Sequence, residues 1–222
     1  MYDIVIMGEI IAEIMRERED VPLDEAGTFI GPFPSGAPAI CIDAAARLGC
    51  KTAIIGGVGK DDFGKLILNR LNKDGVDTSR VIESENCSTG CAFVTYFGDG
   101  SRKFLFHMGN TPAVDSNAPD EGSIESKFFH IMGCSLMANE EFAGEILKTM
   151  RLLKNSGARI SFDPNIRKEL MSGRFVNDAI SEVMENISVF MPGVEELLTV
   201  TKTDNIEDGI KKCFEYENME IV

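Results

Sequence analysis

A short polar segment after a predicted strand carries the side chains best suited to binding an anion. Ile160–Asp163 has the composition of a buried strand, and Asp163-Pro164-Asn165-Ile166-Arg167 leaves its C-terminal end. Open α/β sheets bind ligands at that end of their strands. The planar guanidinium of Arg167 can hold two carboxylate or phosphate oxygens and neutralise charge on a group in transfer. The alternative is a surface arginine that opens a helix.

Glu13 is a second candidate, because a carboxylate accepts hydrogen bonds from two hydroxyl groups at once. It lies five residues after Gly8, close behind the first apolar run of the chain. Its neighbours Arg16, Glu17 and Arg18 are all charged, so a solvated surface glutamate explains the same residue equally well. The residue types and their spacing leave both interpretations open.

The glycines between residues 56 and 64 invite comparison with phosphate-binding loops. A dinucleotide-binding fingerprint needs its third glycine where this chain has Asp62, and a P-loop needs Ser or Thr where it has Asp61. A nicotinamide-dependent dehydrogenase is therefore excluded. We expect these glycines to permit a tight turn from a strand into a helix. The two histidines, His107 and His130, are expected to be packed strand residues rather than catalytic bases.

Strands and helices alternate along most of the chain. Short apolar runs predict strands at Ile4–Met7, Thr52–Ile55, Phe128–Met132, Ile160–Asp163 and Val189–Met191, and the start of another at Met219–Val222. Capping and periodicity predict helices at Ala37–Leu48, from Asp61 or Asp62 to Gly75, and at Glu140–Lys154, Asn177–Glu185 and Ile206–Tyr216. This alternation predicts an α/β fold with a doubly wound, mostly parallel sheet and helices on both faces. The first helix is rich in alanine, and its body is expected to be buried.

Two aromatic-rich runs break this alternation. Ala92–Phe97 and Lys103–His107 are joined by Gly98-Asp99-Gly100-Ser101, which predicts a β-hairpin. We expect this hairpin to form a small antiparallel β lid outside the main sheet.

Net charge and composition exclude several classes of function. The 22 basic and 36 acidic residues give a formal net charge of −14. That charge disfavours a nucleic-acid or membrane-surface partner, because phosphate backbones and anionic lipids are repelled. No apolar run is long enough to span a bilayer or to form a signal peptide, so we expect a cytoplasmic protein. Only Cys87 and Cys91 are close in sequence among the six cysteines, and no second Cys/His pair completes a zinc site.

Several segments occur together in an order that is specific in combination. They are Pro34-Ser35-Gly36-Ala37-Pro38-Ala39, Ala44-Ala45-Ala46-Arg47-Leu48-Gly49, Gly57-Val58-Gly59-Lys60-Asp61-Asp62-Phe63-Gly64, Leu71-x-x-x-Gly75-Val76-Asp77, Thr89-Gly90-x-Ala92-Phe93-Val94, Asp163-Pro164-Asn165-Ile166-Arg167 and Pro192-x-x-Glu195-Glu196-Leu197-Leu198. With these segments the chain resembles the ribokinase-like (PfkB) family of carbohydrate kinases over essentially its whole length. Within the family it is most similar to the branch of 2-keto-3-deoxygluconate kinases and fructokinases.

The resemblance implies a ribokinase-like α/β domain over residues 1–222, incomplete on its C-terminal side, with lid segments at about 13–33 and 88–110. It implies ATP-dependent phosphoryl transfer to a hydroxyl of a sugar or sugar acid, with Mg²⁺ as the metal. The family's catalytic Asp, in its Gly-Ala-Gly-Asp segment, would then lie beyond Val222. Because the hairpin alternates apolar and aromatic residues, we also expect a homodimer formed through the β lid.

The resemblance further implies roles for individual residues. Those expected to contact the substrate are Glu13, Gly36, Ala37, Ile40, Phe106, Met108 and Arg167. Those expected near the nucleotide are Asn165, Arg167 and Glu196, and Glu196 is expected to hold the metal through water. A glutamate stabilised by a helix N-terminus explains Glu196 equally well.

Three substitutions depart from the pattern of the family. Ile40 replaces an Asn that touches the substrate, and Gly193 replaces the Asn of the Asn-x-x-Glu motif. On the lid, Phe106 and Met108 align with a Tyr and an Arg of the keto-deoxy-acid kinases. We therefore predict a kinase acting on a sugar or sugar acid similar to 2-keto-3-deoxygluconate or fructose. The alternative is a non-catalytic sugar-binding or regulatory relative that kept the fold and lost these polar contacts.

Overall fold

Buried apolar strands joined by amphipathic helices build most of the structure, a computed structural model that describes residues 1–167, 170 and 175–222. Its strands are β1 (Tyr2–Met7), β2 (Ile11–Arg16), β3 (Phe29–Ser35), β4 (Thr52–Gly59), β5 (Asp77–Ser84), β6 (Cys91–Tyr96), β7 (Arg102–His107), β8 (Ser126–Met132), β9 (Arg159–Asp163) and β10 (Val189–Phe190). Its helices are α1 (Ala37–Arg47), α2 (Asp62–Lys73), α3 (Gly133–Leu136), α4 (Glu140–Asn155), α5 (Phe175–Asn186), α6 (Val194–Thr201) and α7 (Ile206–Cys213), with a 3₁₀ turn at Pro112–Val114.

The strands form two sheets. Six of them make a parallel sheet in the order β10-β9-β8-β1-β4-β5, and four make a separate sheet in the order β3-β2-β6-β7. The predicted α/β class, with a mostly parallel sheet and a separate small β-sheet, is thereby confirmed. The chain divides into two compact units, one formed by residues 1–7 and 117–222 and the other by residues 8–116.

The unit of residues 1–7 and 117–222 has a core of large side chains between its strands and α4. Phe129, Ile131 and Phe162 are completely buried. The face of α4 predicted to point inward is buried, and it consists of Phe142, Ile146, Met150 and Leu153. The helix begins at Asn139, whose side chain accepts a hydrogen bond from the backbone N–H of Phe142 at 2.7 Å. This cap satisfies one of the unpaired amides of the first turn.

A buried histidine in this unit gives a pH-dependent stability. His130 Nδ1 lies 2.9 Å from Ser161 Oγ and Nε2 lies 3.1 Å from Met132 Sδ. Burial lowers the pKa of His130 to about 4. The unfolded chain, with a histidine pKa of about 6.5, therefore binds a proton that the folded chain does not, and stability is lost as the pH falls below about 6.5.

We expect the His130 contribution to the free energy of unfolding to fall by about 2 kcal/mol between pH 7.5 and pH 5. Denaturant titrations of the wild type and of His130→Gln across this range measure the difference in slope. The variant should lose stability less steeply on acidification. Equal slopes of the free energy of unfolding against pH in the two proteins would contradict the lowered pKa of His130.

The glycines of the other unit extend a strand instead of forming a turn, which corrects the prediction. Strand β4 was expected to end at Ile55, but it continues to Gly59, and all eight of its residues are buried. A Cβ on Gly57 would overlap the carbonyl oxygen of Pro112. The absent side chains therefore let the 3₁₀ turn pack directly against the strand.

Gly64 in α2 shows the same crowding, because a Cβ there would overlap the carbonyl oxygen of Gly59. We expect Gly64→Ala to destabilise the protein by about 1–3 kcal/mol, the usual cost of overpacking. Gly144, on the exposed side of α4, has no atom within 4 Å of its added Cβ. Gly144→Ala should instead stabilise by about 0.5–1 kcal/mol. Thermal unfolding measures the Tm of both variants. Equal changes in Tm for Gly64→Ala and Gly144→Ala would contradict the packing argument.

The four-stranded sheet is mixed and not antiparallel throughout. β6 and β7 form the predicted hairpin, but β2 pairs with β6 in parallel. The prediction also missed β2, β3 and β5. β3 contains Gly31, Pro32 and Pro34, which are depleted in strands, so its composition resembles a loop.

Two further predictions are corrected. Helix α1 forms as expected, but only Pro38, Ala39 and Ile42 are buried, whereas Ile40 is 55% exposed. Its alanine-rich body is therefore not a core element of the described structure. At residues 219–222 the structure has one bridge, between Val189 and Ile221, in place of a strand. Across the described part of the chain, no helix combines the length and apolarity needed to cross a membrane.

Candidate functional site

The first cluster lies in the unit of residues 8–116, where the four-stranded sheet meets α1. The Glu13 side chain on β2 accepts a hydrogen bond from the hydroxyl of Ser35, at the end of β3, at 3.3 Å. Gly36 follows at φ 99° and begins α1. A Cβ on Gly36 would overlap the carbonyl oxygen of Glu9, so glycine is required here. The structure thus brings Glu13 next to the start of α1.

Glu13 is half-buried in this cluster. Burial raises the pKa of its carboxyl group above 4.5, and the Ser35 hydrogen bond and the positive charge of Arg102 only partly offset this. Because burial removes much of the hydration of the carboxylate, hydrogen bonds from a bound molecule would be stronger than on an open surface. The geometry therefore favours the ligand-binding interpretation of Glu13 over the solvated one.

One row of side chains crosses the four-stranded sheet beside Glu13. Glu13 is in register with Ala92, and Ala92 with Phe106, so the three residues share one face. The Phe106 ring stacks on Phe104 with 5.3 Å between ring centroids and 13° between planes. Met108 directly follows β7 and is buried. Of the predicted lid residues, Phe106 therefore lies on the face of Glu13.

Ala37 and Ile40 are on the first turn of α1, directly after Gly36. Ile40 borders a cavity of about 350 Å³ that is also lined by Phe33, Ala39 and Ile67. The cavity continues between α1 and α2 to Arg70, which pairs with Asp74 at 2.6 Å and with Asp43 at 3.3 Å. The wall of the cavity at Ile40 is apolar, as expected because Ile40 stands where the family pattern has an Asn side chain.

Two residues that make contacts in this unit were not predicted from the sequence. Arg102 lies over the Phe104 ring at 5.6 Å and places a positive charge near Glu13. Thr89 binds Asp61, which was predicted only as a helix cap. The alternation of Arg102, Phe104 and Phe106 along one strand could have indicated the contact between Arg102 and the Phe104 ring. Nothing in the sequence spacing indicates the contact between Thr89 and Asp61, because 28 residues separate them.

Asp61 makes three hydrogen bonds at the start of α2. Its Oδ1 accepts from the backbone N–H of Gly64 at 2.9 Å and from the Thr89 hydroxyl at 2.7 Å. Its Oδ2 accepts from the backbone N–H of Thr89 at 2.8 Å. Burial raises the pKa of Asp61, but these hydrogen bonds outweigh it, and the pKa lies below 3.8. Asp61 is therefore held as a carboxylate.

The second cluster lies in the unit of residues 1–7 and 117–222, after β9. Glu196 Oε1 accepts from the backbone N–H of Ile166 and Oε2 from that of Gly193, both at 2.8 Å. These bonds tie the first turn of α6 to the segment that contains Asn165 and Arg167. Glu196 thus performs the structural role open to a glutamate at a helix N-terminus, and each of its oxygens retains a lone pair.

The segment after β9 has a constrained backbone. Asn165 adopts φ 39°, in the left-handed region, and its backbone N–H donates to Asp163 Oδ1 at 3.0 Å. Its side-chain Oδ1 is buried and has no hydrogen-bond partner among the described residues. Strained backbone with an unsatisfied acceptor is common where a protein binds a ligand.

Charges of both signs surround this segment. Burial raises the pKa of Asp163 and the nearby Glu196 carboxylate raises it further, whereas the Asn165 hydrogen bond and Arg167 lower it. Arg167 is half-buried, and its guanidinium donates to the carbonyl of Ile166 at 3.3 Å. The structure therefore brings the predicted residues Asn165, Arg167 and Glu196 together around one loop.

The oxygen atoms of this cluster fit a hard divalent cation. Asn165 Oδ1 is an unpaired buried acceptor, and the Asp163 and Glu196 carboxylates are close to it. Carbonyl and carboxylate oxygens are the ligands that Mg²⁺ prefers, usually with several waters and substrate phosphates. Within residues 1–167, 170 and 175–222, no group of three or more His, Cys, Asp or Glu side chains forms a metal site made by protein alone. A metal here would need ligands from elsewhere.

Comparison with known proteins gives a family match over the entire chain. The pfkB family carbohydrate kinase description matches residues 1–222. Fructokinase-1 of Zea mays is 32% identical over 213 residues, which cover 93% of this chain and 65% of the relative. A fructokinase of Solanum tuberosum is 32% identical over 224 residues, which cover 99% of this chain and 66% of the relative. The chain thus spans slightly less than two thirds of these curated relatives.

Solved structures agree with the fold. An E. coli protein provisionally described as Ribokinase II, in its apo form, is 37% identical with a TM-score of 0.91, covering 100% of this chain and 72% of the other. The same protein in complex with ATP and Mg²⁺ has a TM-score of 0.88 and covers 97% of this chain and 70% of the other. The ribokinase-like architecture expected from the sequence is therefore confirmed.

Proposed function

Because the chain belongs to the pfkB family of carbohydrate kinases, we propose that the protein transfers the γ-phosphoryl group of ATP to a hydroxyl of a small sugar. The strongest support from this chain is the half-buried carboxylate of Glu13 beside Ser35 and Gly36. A carboxylate in such a setting accepts hydrogen bonds from two sugar hydroxyls. Gly36 lets the start of α1 pack against the backbone of Glu9, beside this carboxylate.

Sugar binding is assigned to the first cluster. Glu13 binds hydroxyls, Gly36 and Ala37 offer the first turn of α1, and Ile40 and Phe106 form apolar walls. Stacked aromatic rings such as Phe104 and Phe106 suit the C–H face of a sugar. Met108 replaces a cationic side chain expected for an acidic substrate, which favours a neutral sugar.

Binding of the phosphates is assigned to the second cluster. Arg167 neutralises charge on the transferring group, and Asn165 offers its unpaired oxygen to the nucleotide–metal complex. Phosphoryl transfer depends on positioning and charge neutralisation more than on covalent chemistry by the protein. Arg167 donates to the Ile166 carbonyl and lies near Asp163, so its positive charge belongs to this cluster.

ATP and Mg²⁺ are the proposed cofactors, supported by the ATP and Mg²⁺ complex of the E. coli relative. When bound, Mg²⁺ neutralises charge on the phosphates. Asn165, and Glu196 through water, would hold it from the protein side. Both Glu196 oxygens already accept backbone N–H groups and each retains a lone pair, so a contact through water leaves the cap on α6 in place.

Among sugars, a ketose such as fructose is the proposed substrate, supported by the two fructokinase relatives. A keto-deoxy acid remains a prediction from the sequence resemblance. The alternative is a sugar-binding or regulatory relative without catalysis, which is favoured by the loss of polar side chains at Ile40, Met108 and Gly193.

A coupled assay of ADP release by the intact protein tests the proposal. The panel contains ketoses, aldoses, keto-deoxy acids and nucleosides, each with ATP and MgCl₂. We expect the highest kcat/KM with a ketose. Turnover restricted to nucleosides, or no sugar-dependent turnover at all, would contradict the proposal.

A homodimer formed through the four-stranded sheet is proposed as the assembly. Leu105 on the edge strand β7 is 49% exposed, and its side chain is on the face opposite Glu13. Exposed apolar side chains on an edge strand commonly mark contacts between subunits. Sedimentation velocity should give a dimer for the wild type and a monomer for Leu105→Glu. Leu48→Glu, at a leucine 86% exposed directly after α1, is the matched control and should remain dimeric. A monomeric wild type would contradict this assembly.

A further inference from the structure

The hydrogen bonds of Asp61 exceed what a helix cap requires. A cap needs one side-chain oxygen, and the Gly64 bond supplies it. The other two bonds go to Thr89, 28 residues further along the chain. They bind both the hydroxyl and the backbone N–H of Thr89, so they fix its peptide as well as its side chain.

Thr89 is tied to the end of β4 as well. Its hydroxyl accepts a hydrogen bond from the backbone N–H of Gly59 at 2.9 Å while it donates to Asp61. A Cβ on Gly59 would overlap the backbone nitrogen of Thr89, so the two backbones are in direct contact. The end of β4, the start of α2 and Thr89 therefore form one packed junction inside the unit of residues 8–116.

This junction continues by hydrogen bonds to Glu13. The carbonyl of Gly90, next to Thr89, accepts from the backbone N–H of Ala12 at 3.0 Å. Ala12 then pairs with Cys91, and Glu13 with Ala92, in the parallel register of β2 and β6. Asp61 is thus connected to the backbone of Glu13 through Thr89, Gly90 and Ala12.

We propose that Asp61 is a positioning residue for the sugar site. By anchoring Thr89 and Gly90, it fixes the position of β2 against β6 and so the position of Glu13. The assignment rests on the proposed function in naming a sugar as the molecule that Glu13 binds. Asp61 itself touches neither sugar nor nucleotide. Its carboxylate is needed because it accepts three hydrogen bonds, whereas a neutral capping residue satisfies only the helix.

Asp61→Ser separates the two roles, because serine caps a helix about as well as aspartate but is too short to hold Thr89. In the intact protein we expect the KM for the sugar to rise at least tenfold, with the KM for ATP changed less than twofold. Hydrogen exchange of the Ala12 amide, followed in peptides covering residues 8–14, should accelerate. If Asp61 served only as a helix cap, Asp61→Ser would change neither the KM for the sugar nor the exchange rate of the Ala12 amide.

Three further variants complete the test. Thr89→Ser keeps the hydroxyl and should behave as the wild type. Thr89→Val removes the hydroxyl at constant shape but keeps the backbone bond to Asp61, so it should change sugar KM and Ala12 exchange in the same direction as Asp61→Ser and by less. Asn139→Ser exchanges a cap on α4 and should leave sugar KM and Ala12 exchange unchanged. Thr89→Val also carries the test should Asp61→Ser fail to fold.

The outcomes distinguish this proposal from the proposed function. Unchanged sugar KM and Ala12 exchange in Asp61→Ser would overturn the positioning role, as would an equal rise of both KM values. A wild type without sugar-dependent turnover would overturn the proposed function instead. In that case, hydrogen exchange of the Ala12 amide still tests whether Asp61 anchors Thr89 and Gly90. Faster exchange in Asp61→Ser but not in Asn139→Ser supports the anchoring, and unchanged exchange in Asp61→Ser overturns it.

Discussion

Arg167→Ala should lower kcat of the intact protein by a hundredfold to a thousandfold. Removing one donor that stabilises charge in the transition state typically costs about 2.7–4 kcal/mol of barrier. Arg167 is half-buried, donates to the Ile166 carbonyl at 3.3 Å and lies near Asp163. We expect the loss of kcat to exceed what any change in stability explains, and thermal unfolding of the variant measures that change separately. Steady-state kinetics at saturating ATP and sugar measure kcat.

Arg151→Ala is the matched control for this substitution. Arg151 is an exposed arginine that pairs with Glu182 at 2.7 Å. Exposed pairs of this kind contribute little to stability, and Arg151 has no proposed contact with substrate. Its variant should keep the kcat of the wild type. Unchanged kcat in Arg167→Ala as well would remove Arg167 from the site.

Glu13→Gln should lower kcat/KM for the sugar by about tenfold to a hundredfold and leave the KM for ATP unchanged. Hydrogen bonds to a charged group contribute about 1.5–3 kcal/mol each, and glutamine also turns a donor toward the site. Glu17→Gln, at an exposed glutamate on the same segment, is the control and should match the wild type. Equal values for Glu13→Gln and Glu17→Gln would show that Glu13 is a solvated surface residue.

The pH profile gives an independent check on Glu13. Its pKa is raised by burial, so its carboxylate is protonated at a higher pH than an ordinary glutamate. Because the protonated form is the weaker acceptor, kcat/KM for the sugar should fall as the pH drops through this raised pKa. The fall should be absent from Glu13→Gln. An acid limb of the same shape in both proteins would contradict the assignment.

Five of the six strands of the main sheet were predictable because they are short, apolar and separated by helices with clear caps, and β5 was missed. Asp61, Gly75 and Gly157 mark helix boundaries that the structure confirms. The strand β4 was misread because glycine usually indicates a turn, whereas here its missing side chain serves close packing against Pro112. The strand β3 was missed because its prolines and glycine lie on the edge of a sheet, where they are tolerated.

The candidate site was predictable only as a set of residue types. Glu13, Gly36, Asn165 and Arg167 were chosen by their order in the chain, and the structure adds which of them meet. The Glu13–Ser35 contact and the Glu196 bonds to Ile166 and Gly193 depend on tertiary packing, which periodicity does not encode. The link between Asp61 and Thr89 is of the same kind.

Mass spectrometry of the sugar after incubation with the intact protein, ATP and MgCl₂ tests the central claim most directly. With D-fructose we expect a product one phosphate heavier than the sugar, formed in a one-to-one ratio with ADP and absent when ATP is omitted. Sugar binding measured calorimetrically in the same preparation, without any phosphorylated product, would contradict the kinase assignment and favour the non-catalytic relative.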